Sequence, residues 1–207
     1  LELAAAQSTI PSPIKIGVVP FSMSVNVGST YKNASWITGT QPADYGEDIF
    51  ATSQNRFTMF DKMDMDWEGC IESRPAPYDV QDTAASSATP KTMFVPYFAP
   101  DEPDDDEIVK SESKKKKTYY EFDNNYITDD ETSSDKWKTR LRNHSKYDES
   151  DLVWGAGGTG SIGPNKECSL TPLLRMTTNF STVRSKISSM STVGNTNVAM
   201  GLVWGWL

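Results

Sequence analysis

Near the C-terminal end, Phe180, Val183, Ile187 and Met190 follow one another at spacings of three, four and three. That period places four apolar side chains on one face of a helix. Thr177 and Thr178 stand ahead of it as candidate N-caps. A polar turn follows, then the apolar run Val198-Ala199-Met200-Gly201-Leu202-Val203-Trp204-Gly205-Trp206. Gly194 allows a sharp turn, and Asn195, Thr196 and Asn197 offer oxygens to cap a helix starting at Val198. Trp204 and Trp206 would suit a strand, but the cap favours helix. Gly201 and Gly205 weaken a helix, so close packing against another element is the expected reason for both.

At the other end, residues 1–7 are Ala-rich and read as the last turns of a helix, broken by Ile10-Pro11-Ser12-Pro13. The largely apolar residues 14–21 read as a central strand that Pro20 closes. Between about 29 and 167 the periodicity fades and aromatics are scattered among Pro, Asp, Ser and Thr. Residues 92–98 stand out as one strand. Residues 169–174 read as another. No internal repeat is present. Three segments result: 1–28, a helix end and strand; 29–167, loop-rich; and 168–207, strand, helix, turn and the start of the next helix.

Composition sharpens this picture. Only 37% of the residues are hydrophobic, low for a compact domain, so much of the chain is expected to be surface loop. The net charge of −8 argues against a nucleic-acid partner, which needs a basic patch. No apolar run reaches the ~18 residues of a membrane span. No signal peptide is visible. The first residue is not Met and the last lies in an apolar segment, so both ends read as cut.

Candidate chemistry is sparse. Gly155-Ala156-Gly157-Gly158-Thr159-Gly160 matches a dinucleotide-binding pattern, but Gly163 and Pro164 deny it the helix that receives a pyrophosphate, leaving a flexible loop. His144 sits in a polar, charged stretch and reads as a surface residue, not the oriented imidazole of a catalytic triad. The acidic run from Asp101 to Glu107 lacks the glycine of a calcium loop, and with Lys114 to Lys117 it reads as solvated loop. Asn33, Asn143 and Asn179 begin glycosylation patterns that are common by chance. Two cysteines, Cys70 and Cys168, allow either a disulfide or two buried thiols, and cannot make a zinc site alone.

One resemblance gathers these pieces. Gly194-Asn195-Thr196-Asn197, followed by Gly201-Leu202-Val203-Trp204-Gly205-Trp206, resembles the turn and helix of von Willebrand factor A domains. With Leu170-Thr171-Pro172-Leu173 before it, the Trp-Gly-Trp form is similar to TadG-like proteins of bacterial tight-adherence (Flp-type) pilus systems. Val19-Pro20-Phe21-Ser22 with Val25-Asn26-Val27-Gly28 resembles that family's second strand. Trp67-Glu68-Gly69-Cys70-Ile71-Glu72-Ser73-Arg74-Pro75 and residues 94–102 resemble its insertion. Residues 163–168 resemble the return to its core.

The resemblance implies a doubly wound, Rossmann-like α/β sheet carrying a long insertion. It also implies a metal-ion-dependent adhesion site at the sheet edge and a function in pilus assembly. Of the family's ligands only Thr196 carries over. The Asp-x-Ser-x-Ser loop is expected before residue 1 and a later Asp after residue 207. Mg²⁺ or another divalent cation is thus expected in a full-length protein and weakly or not at all in this stretch. The resemblance also implies a Cys70–Cys168 disulfide and protein partners. It implies a bacterial cell envelope location with anchoring through segments outside this chain, and binding in place of catalysis. An adhesin or scaffold unrelated to pili, and a hydrolase around His144, are the alternatives.

Overall fold

The computed structural model describes residues 6, 14–39, 49–50, 54–103, 107–110, 117–120, 123–128, 137–148, 152–153 and 162–206. Gly155 to Gly160 lie outside them, as do residues 1–7 except the helical Ala6. The described chain is mixed α and β. Its named strands form three small sheets, and every ladder between them is antiparallel.

The first sheet joins the two ends of the described chain. β1, Ile16–Val18, pairs with β7, Leu174–Thr177, in the register Ile16 to Thr177 and Val18 to Leu174. Both strands are shorter than, or displaced from, the sequence expectation. Residues 14–21 do not make a central strand: among the described residues β1 has a ladder only with β7, and it stops at Val18, before Pro20. The strand expected at 169–174 begins at Leu174, because Leu173 N–H donates instead to the Asn26 carbonyl at 2.8 Å.

The second sheet pairs β2, Val25–Asn26, with β3, Cys70–Glu72, and β3 with β4, Val95–Pro96. Pro96 is tolerated because β4 is the sheet's outer strand, where a missing N–H leaves no ladder bond unmade. The strand expected over 92–98 shrinks to two residues, since Pro90–Thr92 forms a 3₁₀ turn. The third sheet is the hairpin of β5, Glu107–Lys110, which lies in the stretch expected to be solvated loop, and β6, Lys117–Tyr120, which begins at its last residue.

Four α-helices are described: α1, Arg56–Lys62; α2, Trp137–Leu141; α3, Phe180–Ser188; and α4, Val198–Trp206. Asn55 caps α1, its side chain accepting from Thr58 N–H at 3.1 Å. α3 is capped by Asn179, not by Thr177 or Thr178. An Asn oxygen one residue before the helix reaches the N3 amide, whereas Thr177 is still in β7. The apolar face expected on α3 is only partly buried: Val183 is enclosed, while Ile187 and Met190 are about half exposed.

The core lies where little was expected. Phe50, Phe57, Met59, Phe60, Trp67, Ile71, Phe94, Phe98, Tyr126 and Tyr147 are buried together, all within residues 29–167. Phe98 meets Phe50, Phe60 and Tyr147 edge to face at 5.3–5.5 Å between ring centres. Such pairs add about 0.5–1.5 kcal/mol each beyond area burial. Low overall hydrophobicity therefore does not make this segment surface loop, because a few large rings supply the apolar area. Cys70 and Cys168 are both buried and bonded to each other, with Cα atoms 5.8 Å apart. The bond ties β3 to the segment leading to β7.

Candidate functional site

The turn before α4 is built from three distant parts of the chain. Gly194 adopts φ +49°, a conformation that favours glycine. A Cβ there would run into the Glu167 carboxylate, so Gly194 also makes room for that side chain. Asn197 then does the structural work. Its N–H donates to the Ser22 carbonyl at 2.8 Å, its Oδ1 accepts from Met200 N–H at 3.2 Å, and its Nδ2 donates to Ser73 Oγ at 3.2 Å. The bend after β1, the end of β3 and the helix N-terminus are thereby held at one point.

Thr196 and Asn195 are exposed, and neither takes part in this cap. Thr196 thus stands next to the positive end of the α4 dipole, where an anion would be favoured. A divalent cation such as Mg²⁺ demands near-octahedral oxygen coordination. Thr196 offers one oxygen, and the described residues contain no cluster of three His, Cys, Asp or Glu side chains able to hold a metal. The described residues alone do not fit a closed metal site.

Behind the turn, α4 is anchored by Met200 and Trp204. Met200 is buried, and Trp204 packs on Phe94 at 4.8 Å and on Trp36 at 5.8 Å. The two glycines differ. A Cβ on Gly201 would sit 2.6 Å from the Phe21 ring, so close approach explains it. Gly205 has no atom within 4 Å of a Cβ position, so the expected close packing is absent there.

His144 begins a 3₁₀ turn and is half-buried, not fully exposed as expected. Its Nδ1 is enclosed without a hydrogen-bond partner, whereas a triad histidine has that nitrogen held by a carboxylate. Two of the glycosylation asparagines serve as caps: Asn143 accepts from Ser145 N–H at 3.0 Å and Asn179 from Thr182 N–H at 3.1 Å. Asn-x-Ser is equally a pattern for a turn, which explains this double reading.

Two charged side chains were not foreseen. Asp101, the first of the acidic run, is completely buried. Its Oδ1 accepts from Tyr126 N–H at 2.7 Å and Ile127 N–H at 2.8 Å, and its Oδ2 from Lys146 Nζ at 2.5 Å. Its own N–H donates to the Tyr147 hydroxyl at 3.1 Å. Burial pushes the carboxyl upward against the opposing pull of Lys146 and the two amides. Beside it, Glu102 Oε2 accepts from the amides of Asp123 and Asn124, both at 2.8 Å. The acidic run thus starts as a structural hub; residues 104–106 lie outside the described residues.

Arg74 is the second. Its guanidinium donates to the carbonyls of Thr83 at 2.6 Å and Thr92 at 3.2 Å, and also to Gln81, while stacking 4.7 Å from the Phe94 ring. Burial lowers its pKa, and the nearby Asp79 and Asp82 oppose the shift. Arg74 reaches partners 7 to 18 residues on and Asp101 partners 25 to 45 residues on, beyond the span of any helix or strand period, so no such period marks them.

No protein family, curated protein or solved structure matches the chain.

Proposed function

We propose that this chain belongs to a von Willebrand factor A-like, TadG-like protein of the bacterial cell envelope. Its role is in tight-adherence pilus assembly, and it acts by metal-dependent protein binding without catalysis. On this reading the β1–β7 pair, with α3 and α4 after it, belongs to the doubly wound sheet of that fold as an antiparallel edge, since such sheets are otherwise mostly parallel. The observation that carries the reading is the division of labour at the turn. Asn197 supplies the cap, which leaves the adjacent Thr196 hydroxyl free at the surface for a ligand. A buried disulfide suits an oxidising, extracytoplasmic location. A metal would require oxygens beyond the described residues.

The test uses the full-length protein. Mn²⁺ binding followed by electron paramagnetic resonance should weaken at least about tenfold in Thr196→Ala, a loss of about 1.4 kcal/mol. Unchanged Mn²⁺ affinity would remove the metal-site reading. Deleting the gene should strip Flp-type pili from cells seen by electron microscopy. Normal piliation with impaired surface attachment would favour an adhesin instead.

A further inference from the structure

The buried contact between Asp101 and Lys146 has the geometry of two reactants as well as that of an ion pair. The Asp101 side chain is fully enclosed, and that of Lys146 is 8% exposed. Nζ lies 2.5 Å from Oδ2 and 3.1 Å from the Asp101 carbonyl oxygen, so two bonds hold the amine over one residue. The surroundings are aromatic. Nζ lies 5.8 Å from the centre of the Tyr147 ring, which packs on buried Phe98 and Tyr126.

The backbone around Asp101 is fixed on both sides. Asp101 N–H donates to the Tyr147 hydroxyl at 3.1 Å. Asn124 Nδ2 donates to the Pro100 carbonyl at 2.9 Å, and the Glu102 carboxylate holds the amides of Asp123 and Asn124. Confinement of this kind turns a collision between amine and acid into an intramolecular step. The carboxyl is also oriented for attack. Oδ1 accepts from the amides of Tyr126 and Ile127 at 2.7 and 2.8 Å, a pair of donors placed as in a site that stabilises a tetrahedral oxyanion. Oδ2, the oxygen that faces Nζ, is the one placed to take up protons and leave. Enclosure disfavours charge, and burial already pushes the Asp101 carboxyl upward, toward the protonated form that reacts.

We propose that Asp101 and Lys146 join in an intramolecular amide (isopeptide) bond, formed by the folded chain itself. The ammonium first passes one proton to Oδ2. The Nζ lone pair then forms a bond to Cγ while the carbonyl pair moves onto Oδ1, where the two amides hold it. A second proton passes from Nζ to Oδ2, the pair returns from Oδ1, and the Cγ–Oδ2 bond breaks to release water. Nothing is oxidised or reduced. The bond closes a loop across 45 residues and, unlike Cys70–Cys168, does not respond to a reductant. It is independent of the function assigned to Thr196.

The test is intact mass spectrometry of the folded protein, held at neutral pH until its mass is constant, then reduced and denatured. The mass expected is that of the reduced sequence less one water. Trypsin should leave Lys146 uncut and yield residues 92–110 linked to residues 143–166. Lys146→Arg keeps a positive charge opposite Asp101, but a guanidinium is not deprotonated and does not attack. That variant should show the full mass of its sequence. The proposal is overturned if the folded parent shows its full mass, or if Lys146→Arg lacks the same water. It is equally overturned if the missing water maps to residues 92–110 alone, which is a cyclised aspartate, or to any peptide without Lys146.

Discussion

Helices α1 and α3 come from segments with opposite expectations, and the structure reverses them. α1 lies in the aperiodic stretch 29–167, yet Arg56, Phe57, Met59 and Phe60 are all buried within its seven residues. α3 has the regular apolar period, yet among its nine residues it buries Val183 alone. The same contrast holds across the molecule. Of nine large hydrophobics that stand exposed among the described residues, eight lie before residue 29 or after 167, and only Val80 lies between. Periodicity marks which face of a helix is apolar. It does not say whether a neighbour covers that face. The intervening segment supplies most of the core, because scattered rings converge from α1, the chain around β4 and the chain around Tyr126 and Tyr147, and Val25, Val27 and Met200 from the flanking segments complete it. The flanking elements present apolar faces outward, as α4 does with Val198, Leu202 and Trp206.

The largest test of this contrast is in the buried hub. Asp101→Ala removes a fully buried carboxylate that accepts from Lys146 and from the amides of Tyr126 and Ile127. The expected loss is about 3–5 kcal/mol, read by urea unfolding. By comparison, Ile187→Ser on the exposed face of α3 should shift stability by no more than about 0.5 kcal/mol. Equal effects at the two sites would erase the distinction between the regions.

Next comes the link between them. The Cys70–Cys168 bond spans 98 residues, and chain entropy alone assigns it about 4–5 kcal/mol. Engineered and natural cases usually return less, so a Cys70→Ser, Cys168→Ser double variant should lose about 2–4 kcal/mol. Mass spectrometry of the protein after thiol alkylation should find no free thiol.

The two α4 glycines give a smaller, signed test. Gly201→Ala drives a methyl into the Phe21 ring and should cost about 1–3 kcal/mol. Gly205→Ala meets open space and should stabilise by up to about 1 kcal/mol through helix propensity. Thermal melts of the two variants should move in opposite directions.

A further effect is alkaline. Burial pushes the Tyr97 phenol up to about 12 from 10.0, with Glu167 and Glu72 adding to the shift and Arg56 opposing it. A raised folded-state pKa means the folded form holds the proton longer. The corresponding stability is complete below pH 10.0 and is lost as pH rises through about 12. Tyr97→Phe should flatten that part of the unfolding-versus-pH curve.

The sequence by itself determined α4 and its turn, and narrowed the cap to Asn195, Thr196 or Asn197. The capping bond from Met200 N–H to Asn197 spans three residues, and local chemistry of that kind is legible without knowing the fold, whereas the bonds of Asn197 to Ser22 and Ser73 are not. The helical period of α3 was legible for the same reason, though its cap fell one residue later than the threonines suggested. Only the tertiary structure decided which charges are buried. Asp101 looks identical to its acidic neighbours until Lys146 and the amides of Tyr126 and Ile127 arrive from 25 to 45 residues away. Nor could the chain order show that Gly201 has the Phe21 ring against it while Gly205 has open space. Such contacts depend on which distant segment packs there, and that is set by the closing of the whole chain.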